Sequence, residues 1–130
     1  MGRLSGSRNS KAKSALLKGH CDDLGTDFGA ITRSANYNTV IGATEAEVQE
    51  RIKAIIARVT PYIGADRAEA FRAQNLSGDA LAVGTPEQVV ERLTDMKKRG
   101  MTYAIHNFPE SAYDRSGVEL FEREVIPALA

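Results

Sequence analysis

The chain is poor in thiols: among its 130 residues there is one cysteine, Cys21. A lone thiol forms no internal disulfide, which excludes a disulfide-stapled secreted scaffold and favours a reducing, cytoplasmic location. Excess charge is missing too, since 17 Lys and Arg balance 17 Asp and Glu. Without a net positive field there is no global attraction to a phosphate backbone, so a nucleic-acid partner is not expected. No apolar run approaches the roughly 20 residues of a membrane-spanning helix, and no membrane partner is expected. The basic residues Arg3, Arg8, Lys11 and Lys13 are not followed by the apolar stretch of a secretory signal. Gly6 stands where a myristoylation motif wants Ser or Thr. Low-complexity tracts are lacking, as are a P-loop, a GxGxxG turn and a Gly-x-Ser-x-Gly elbow.

What remains is a globular composition, 42% hydrophobic and 26% charged, sufficient for a buried core. Residues 1–14 read as a disordered or atypical lead-in, with Met1 to Ser10 its disordered part. From about Ser10 to Leu24 the chain reads as a helix, with Leu17, Cys21 and Leu24 on one face and Gly25 as the stop. Asn36 to Gly42 changes to a strand pattern, short and rich in β-branched and aromatic residues. Thr44 and Glu47 make a Thr-x-x-Glu capping box, followed by Val48, Ile52, Ile55, Ile56 and Val59 at helical spacing and by Pro61 as the end. A less apolar helix covers Asp66 to Gln74, and a loop Asn75 to Val83, with an extended piece at Leu81 to Val83. Thr85-Pro86-Glu87-Gln88 is the strongest local signal: threonine caps, proline occupies the first helical position, and glutamine completes the box. Val89, Val90, Leu93 and Met96 form the stripe of that helix, and Gly100 closes it. Met101 to Phe108 is almost continuously apolar, the pattern of a parallel strand buried on both faces. Ser116 and Glu119 then cap a last helix carrying Phe121, Val125 and Leu129.

Strands joined through helices are parallel, and a parallel sheet needs neighbours at its edges and cover on its faces. Two strands cannot shelter so many apolar helix faces. The residues therefore point to an incomplete α/β unit.

Gly84-Thr85-Pro86-Glu87-Gln88-Val89-Val90-Glu91-Arg92-Leu93 resembles a stretch near the C-terminus of the luciferase-like monooxygenases. So do Asn107-Phe108-Pro109, Glu119-Leu120-Phe121 and Glu124-Val125-Ile126-Pro127-Ala128-Leu129. Upstream, Leu17 to Gly25 is similar to the helix before the family's seventh strand, and Asn38-Thr39-Val40-Ile41-Gly42 to that strand. The resemblance covers residues 15–130. It implies the last strand–helix units, about strands seven and eight, of a (β/α)8 TIM barrel of about 250 residues. It also implies an oxidoreductase that uses FMN or the deazaflavin coenzyme F-420 for hydride transfer or oxygen activation on a small organic substrate. Most of the family's cofactor pocket comes from strands one to six, so the chain by itself is expected to be inactive. It would require a missing N-terminal barrel portion or self-association. The alternative is a non-catalytic α/β module that self-associates through open strand edges.

Barrel chemistry sits at the C-terminal ends of strands. Gly42, Gly84, Thr85, His106 and Asn107 are thereby the candidate cofactor- or substrate-facing residues. The helix start at Gly84-Thr85 either receives an anion or is simply a cap. With Tyr103 and Ile105 packed against helices, Thr102, Ala104 and His106 are expected to point into the barrel. His106 is then either a hydrogen-bond donor to a ligand or a satisfied, half-buried histidine. Arg115 is either a phosphate or carboxylate contact or a solvated loop residue. His20 and Cys21 face different directions, and with His106 the only other histidine no metal site is expected. No nucleophile–base set stands out, and no catalytic residue is assigned.

Overall fold

Thr85 begins a helix whose start is closed from both sides. Its Oγ1 accepts from the Gln88 N–H at 3.5 Å while Gln88 Oε1 accepts from the Thr85 N–H at 3.0 Å, the reciprocal pairing of a capping box. In the computed structural model, which describes residues 5–78 and 80–130 and the side chains of residues 11–78 and 80–130, this helix is α4, Pro86–Lys98. Val89, Leu93 and Met96 form its buried stripe. Gly100, at φ +107°, ends it in a conformation that favours glycine.

The preceding elements are α1 (Ser5–Leu24), a 3₁₀ turn (Phe28–Ala30), β1 (Ser34–Asn38), β2 (Val40–Ile41), α2 (Glu45–Ile63), α3 (Ala65–Asn75) and β3 (Val83–Gly84). After α4 come β4 (Tyr103–Asn107), α5 (Ser116–Leu120), a wide π-type turn (Phe121–Val125) and α6 (Ile126–Leu129). Helix α1 starts earlier than the expected Ser10; of the lead-in, Met1–Leu4 lie outside the described residues. Its expected apolar face is covered only in part: Cys21 is buried, but Leu24 is 77% exposed.

Helix α2 does not stop at Pro61. It runs to Ile63 and turns at Gly64, φ +84°. Proline in the last turn removes only one intrahelical bond, and the Gly64 N–H still reaches the Thr60 carbonyl at 2.9 Å. Its start also departs from the expected box. Thr44 Oγ1 accepts from the Glu47 N–H, but Glu47 reaches one residue further back, accepting from the Ala43 N–H at 2.7 Å. At α5 the expected Ser116 cap is displaced: Arg115 occupies the cap position, and Asp114 Oδ1 accepts from the Ser116 N–H at 2.9 Å.

The expected strand over Asn36–Gly42 is two pieces that share one line of chain. β1 pairs in parallel with β4, from Ser34 opposite Tyr103 to Asn38 opposite Asn107; β2 pairs in parallel with β3, Val40 opposite Val83 and Ile41 opposite Gly84. The change of partner falls at Thr39, whose N–H donates to the Asn107 carbonyl at 2.7 Å while the next N–H, of Val40, donates to Ala82 on the other side at 3.0 Å. The order across the chain is thus β4, then β1–β2, then β3, all parallel.

Helices cover this α/β arrangement unevenly. Val40 joins Val48, Ile52, Ile55, Leu76 and Val83 in one cluster, against α2 and the end of α3. Ile41 points the other way, into Tyr37, Val89, Leu93, Leu120, Phe121 and Val125. Val40 and Ile41 are both 0% exposed. Burying each such side chain contributes about 1.5–3 kcal/mol, against about 1 kcal/mol net for a backbone hydrogen bond, so packing holds the short β2–β3 pair. Burial on both faces therefore belongs to β2. It does not belong to β4, where it was expected: Tyr103 is 58% and Ile105 45% exposed. The helices pack only on the Ala104 and His106 side of that strand.

Candidate functional site

Asn38 and Asn107 end the two longer strands in register, on the uncovered face of the β1–β4 pair. Asn107 Nδ2 donates to Asn38 Oδ1 at 3.1 Å, and Asn38 Nδ2 donates to Asn75 Oδ1 at 3.3 Å. Asn75, at the end of α3, donates in turn to the Phe71 carbonyl at 3.2 Å. The result is a row of amides across the C-terminal ends of the strands. By the alternation of strand side chains, Ser34, Asn36, Tyr103 and Ile105 continue the same face. A cleft of about 340 Å³ runs along the edge of β1 away from β4, walled by Asn36, Asn38 and Asn75 on the side of this face and by Ala35, Tyr37 and Met96 on the covered side.

His106 lies on the opposite face. Its Nδ1 shares a 2.8 Å hydrogen bond with Thr39 Oγ1, and its ring packs 4.5 Å from Phe121 and 5.5 Å from Tyr37. Burial holds its pKa below the ordinary imidazole value, which keeps the ring neutral near pH 7. The expected facing is therefore reversed: Ala104 and His106 meet the helices, and Tyr103 and Ile105 lie open. The apolar run from Met101 to Phe108 does not say which alternate residues meet the helices; the Tyr37–Phe121 cluster decides it.

The two candidate glycines stand side by side, the Gly42 N–H donating to the Gly84 carbonyl at 3.3 Å. Each is pressed against the helix that follows it. A Cβ on Gly42 would lie 2.9 Å from the Val48 amide nitrogen, and one on Gly84 would lie 2.5 Å from Gln88 Oε1. Close strand-to-helix packing accounts for a glycine at each position. Thr85 is engaged in its own cap, and Gln88 Nε2 donates to Glu45 Oε1 at 2.9 Å, which brings a carboxylate to the rim. Arg115 is exposed at the start of α5. His20 is exposed and Cys21 buried, on α1.

An ionic cluster at the same strand ends has no local signature in the sequence. Arg51, its side chain 10% exposed, donates to Glu110 Oε1 at 3.0 Å, Glu47 Oε1 at 2.8 Å, Ser116 Oγ at 2.8 Å and Asp114 Oδ2 at 3.4 Å. It ties the segment after β4 to α2, and Arg58 stacks on Tyr113 beside it, 4.3 Å from the ring centre. Burial raises the Glu110 pKa despite Arg51. The Ala43 N–H, then Arg51, lowers that of Glu47; the Ser116 hydroxyl and N–H lower that of Asp114. Only the Glu47–Arg51 spacing of four is a sequence signal; Glu110 and Asp114 arrive from the far end of the chain.

Chemically, the uncovered face offers amide donors and acceptors beside an aromatic and an aliphatic side chain. That suits a planar polar ligand. It includes no nucleophile paired with a base. Compared with known protein families and with curated proteins, the chain matches none. Among the described residues no helix is long and apolar enough to cross a membrane.

Proposed function

We propose that the chain is the C-terminal part of a luciferase-like (β/α)8 oxidoreductase, supplying strand ends seven and eight to a pocket for FMN or the deazaflavin coenzyme F-420. The observation that carries this reading is the amide row Asn107–Asn38–Asn75 on a face without cover, at the C-terminal ends of parallel strands. In a barrel that face turns inward, and barrel sites lie at those ends. Helices α2 and α3 then form an inserted cover over the mouth. Asn38 and Asn107 would hydrogen-bond the polar edge of the ring system, and Tyr103 and Ile105 would fill the interior below it. The cofactor would supply the hydride or oxygen chemistry on a small organic substrate, and the protein its orientation.

The test is to join the chain to the first six strand–helix units of a luciferase-like reductase and to titrate FMN and F-420, following absorbance and fluorescence. The expected result is binding that Asn107→Leu weakens about tenfold, as the loss of a buried hydrogen bond does. Binding that is absent, or indifferent to Asn107→Leu and Asn38→Leu, overturns the reading.

A second reading rests on the exposure of Tyr103 and Ile105 together with the free outer edge of β4. A non-catalytic module would cover that face with another copy of itself.

A further inference from the structure

Arg33 stands at the other ends of the strands, and its guanidinium has no carboxylate partner among the described residues. Its backbone is held where β1 and β4 begin: the N–H donates to Thr102 Oγ1 at 2.8 Å, and the carbonyl accepts from the Thr102 N–H at 2.9 Å and the Tyr103 N–H at 3.2 Å. Its head lies over the Phe28 ring, 4.1 Å from the centre. Gly100 lets the head come close, since a Cβ there would sit 3.1 Å from Nη1. Arg33 is thus placed from three sides, yet its Nε is buried with no hydrogen-bond acceptor. Arg51 Nε is buried without an acceptor in the same way, so the donors that Arg33 can offer a ligand are the Nη groups of its head, which have no carboxylate beside them among the described residues.

Two adjoining cavities, about 470 and 460 Å³, share Arg33, Gly100 and Met101 in their walls. Lys13 lines the first and Lys97 the second, and neither wall contains an Asp or Glu. The remainder is largely apolar: Leu17, Ile31 and Met96 in one, Leu93 and Leu129 in the other. Positive charge without counter-charge, next to an apolar wall, matches a ligand with an anionic head and a hydrocarbon body. The planar fork of arginine fits a carboxylate along two parallel N–H bonds.

We propose that these cavities form one binding site for an aliphatic carboxylate, its head on Arg33 and its chain between α1, α4 and α6. The lysines lie at the rim and add attraction to the head, screened by salt. The head site is at the N-terminal ends of the strands, and the second cavity continues from there along β4 as far as His106; neither is argued from the oxidoreductase reading.

Decanoate, below its micelle concentration, is the probe, followed by titration calorimetry and amide chemical-shift mapping. The expected result is saturable one-to-one binding, with the largest shifts at Arg33, Gly100 and Met101. Decanol, the same chain without the charge, should bind at least about tenfold more weakly, and Arg33→Gln should weaken decanoate by a similar factor. The double variant Lys13→Glu/Lys97→Glu changes only exposed side chains, which keeps the test sound if Arg33→Gln does not fold; it should weaken decanoate several-fold at low salt. No saturable binding, equal affinity for decanol, or shifts centred on Asn38 and Asn107 would overturn the proposal.

Discussion

Thr39 Oγ1 and His106 Nδ1 lie 2.8 Å apart, and their hydrogen bond spans the point where the central strand exchanges one neighbour for another. Thr39 is fully buried; its backbone N–H makes the last bond to β4 before the change of partner, and its side chain holds the histidine on the covered face of β4. Thr39→Val keeps the shape and removes the hydroxyl. It should destabilise the fold by about 1–2 kcal/mol, because His106 loses its partner in a half-buried place. Urea unfolding at pH 7.5 measures this, and a change within error would show that the bond contributes nothing.

The same histidine sets a pH dependence. Its folded pKa is depressed by burial, so the unfolded chain binds the proton more readily. The contribution of neutral His106 is fully present above the ordinary imidazole pKa of about 6.5 and declines as pH falls from there through the folded value. Unfolding free energy measured from pH 8 to pH 5 should therefore fall on the acid side, and His106→Gln should flatten that limb. Equal slopes in the two proteins would contradict the assignment.

Arg51 holds three carboxylates, and Glu110, 3% exposed, is the one that cannot turn to water. Arg51→Met should cost about 3 kcal/mol, chiefly by leaving that buried charge unpaired. Adding Glu110→Gln should recover part of the loss, which a double-mutant cycle detects. Since the folded Glu110 pKa is raised, its stabilising share is present at low pH and lost as pH rises through the folded value. Glu110→Gln alone should thus lessen the loss of stability on going from pH 4.5 to 7. Additive single and double variants would show that the cluster is not coupled.

Gly42 and Gly84 differ in what a methyl group would strike. At Gly42 the obstacle is backbone, the Val48 nitrogen; at Gly84 it is the end of the Gln88 side chain. Gly42→Ala should cost more than about 2 kcal/mol, since the start of α2 must shift. Gly84→Ala should cost about 1–2 kcal/mol, by displacing Gln88 from its cap and straining a positive φ. Thermal melts of the two variants test the order; the reverse order would refute this account of the packing.

Ile105 is 45% exposed on the open face beside Tyr103. Ile105→Lys should leave the unfolding midpoint nearly unchanged, as a surface substitution does within about 0.5 kcal/mol. It should reduce any self-association seen by sedimentation. Association unaltered by Ile105→Lys and Tyr103→Lys would place the contact elsewhere.

Helix α4 is legible in the sequence because every determinant of its start lies within four residues and its stripe repeats at helical spacing: Thr85 and Gln88 satisfy each other's backbone, and Val89, Leu93 and Met96 share a face. The core of α2 is legible for the same reason. The facing of β4 is not. Met101 to Phe108 is apolar at nearly every position, so alternation has no contrast to read, and the cluster around Phe121 determines which residues are covered. Of the candidate site residues, Asn107 lies on the open face, whereas His106 is directed into the helix layer. Asn38 and Asn75 do not stand out in the sequence because an asparagine near a strand or helix end is usually a local turn former; their joint row exists only after residues 37 and 69 positions apart meet.

From the amino-acid order alone came the bodies of α2 and α4, the Thr85–Gln88 capping box and the parallel α/β character, because capping and amphipathic spacing act over a turn or two of chain. The tertiary structure alone decided where the central strand changes partners, which face of β4 stays open, and which charges gather around Arg51 and leave Arg33 without a carboxylate among the described residues. Those outcomes depend on contacts between distant segments, and in such contacts burial and hydrogen-bond satisfaction outweigh what any local pattern prefers.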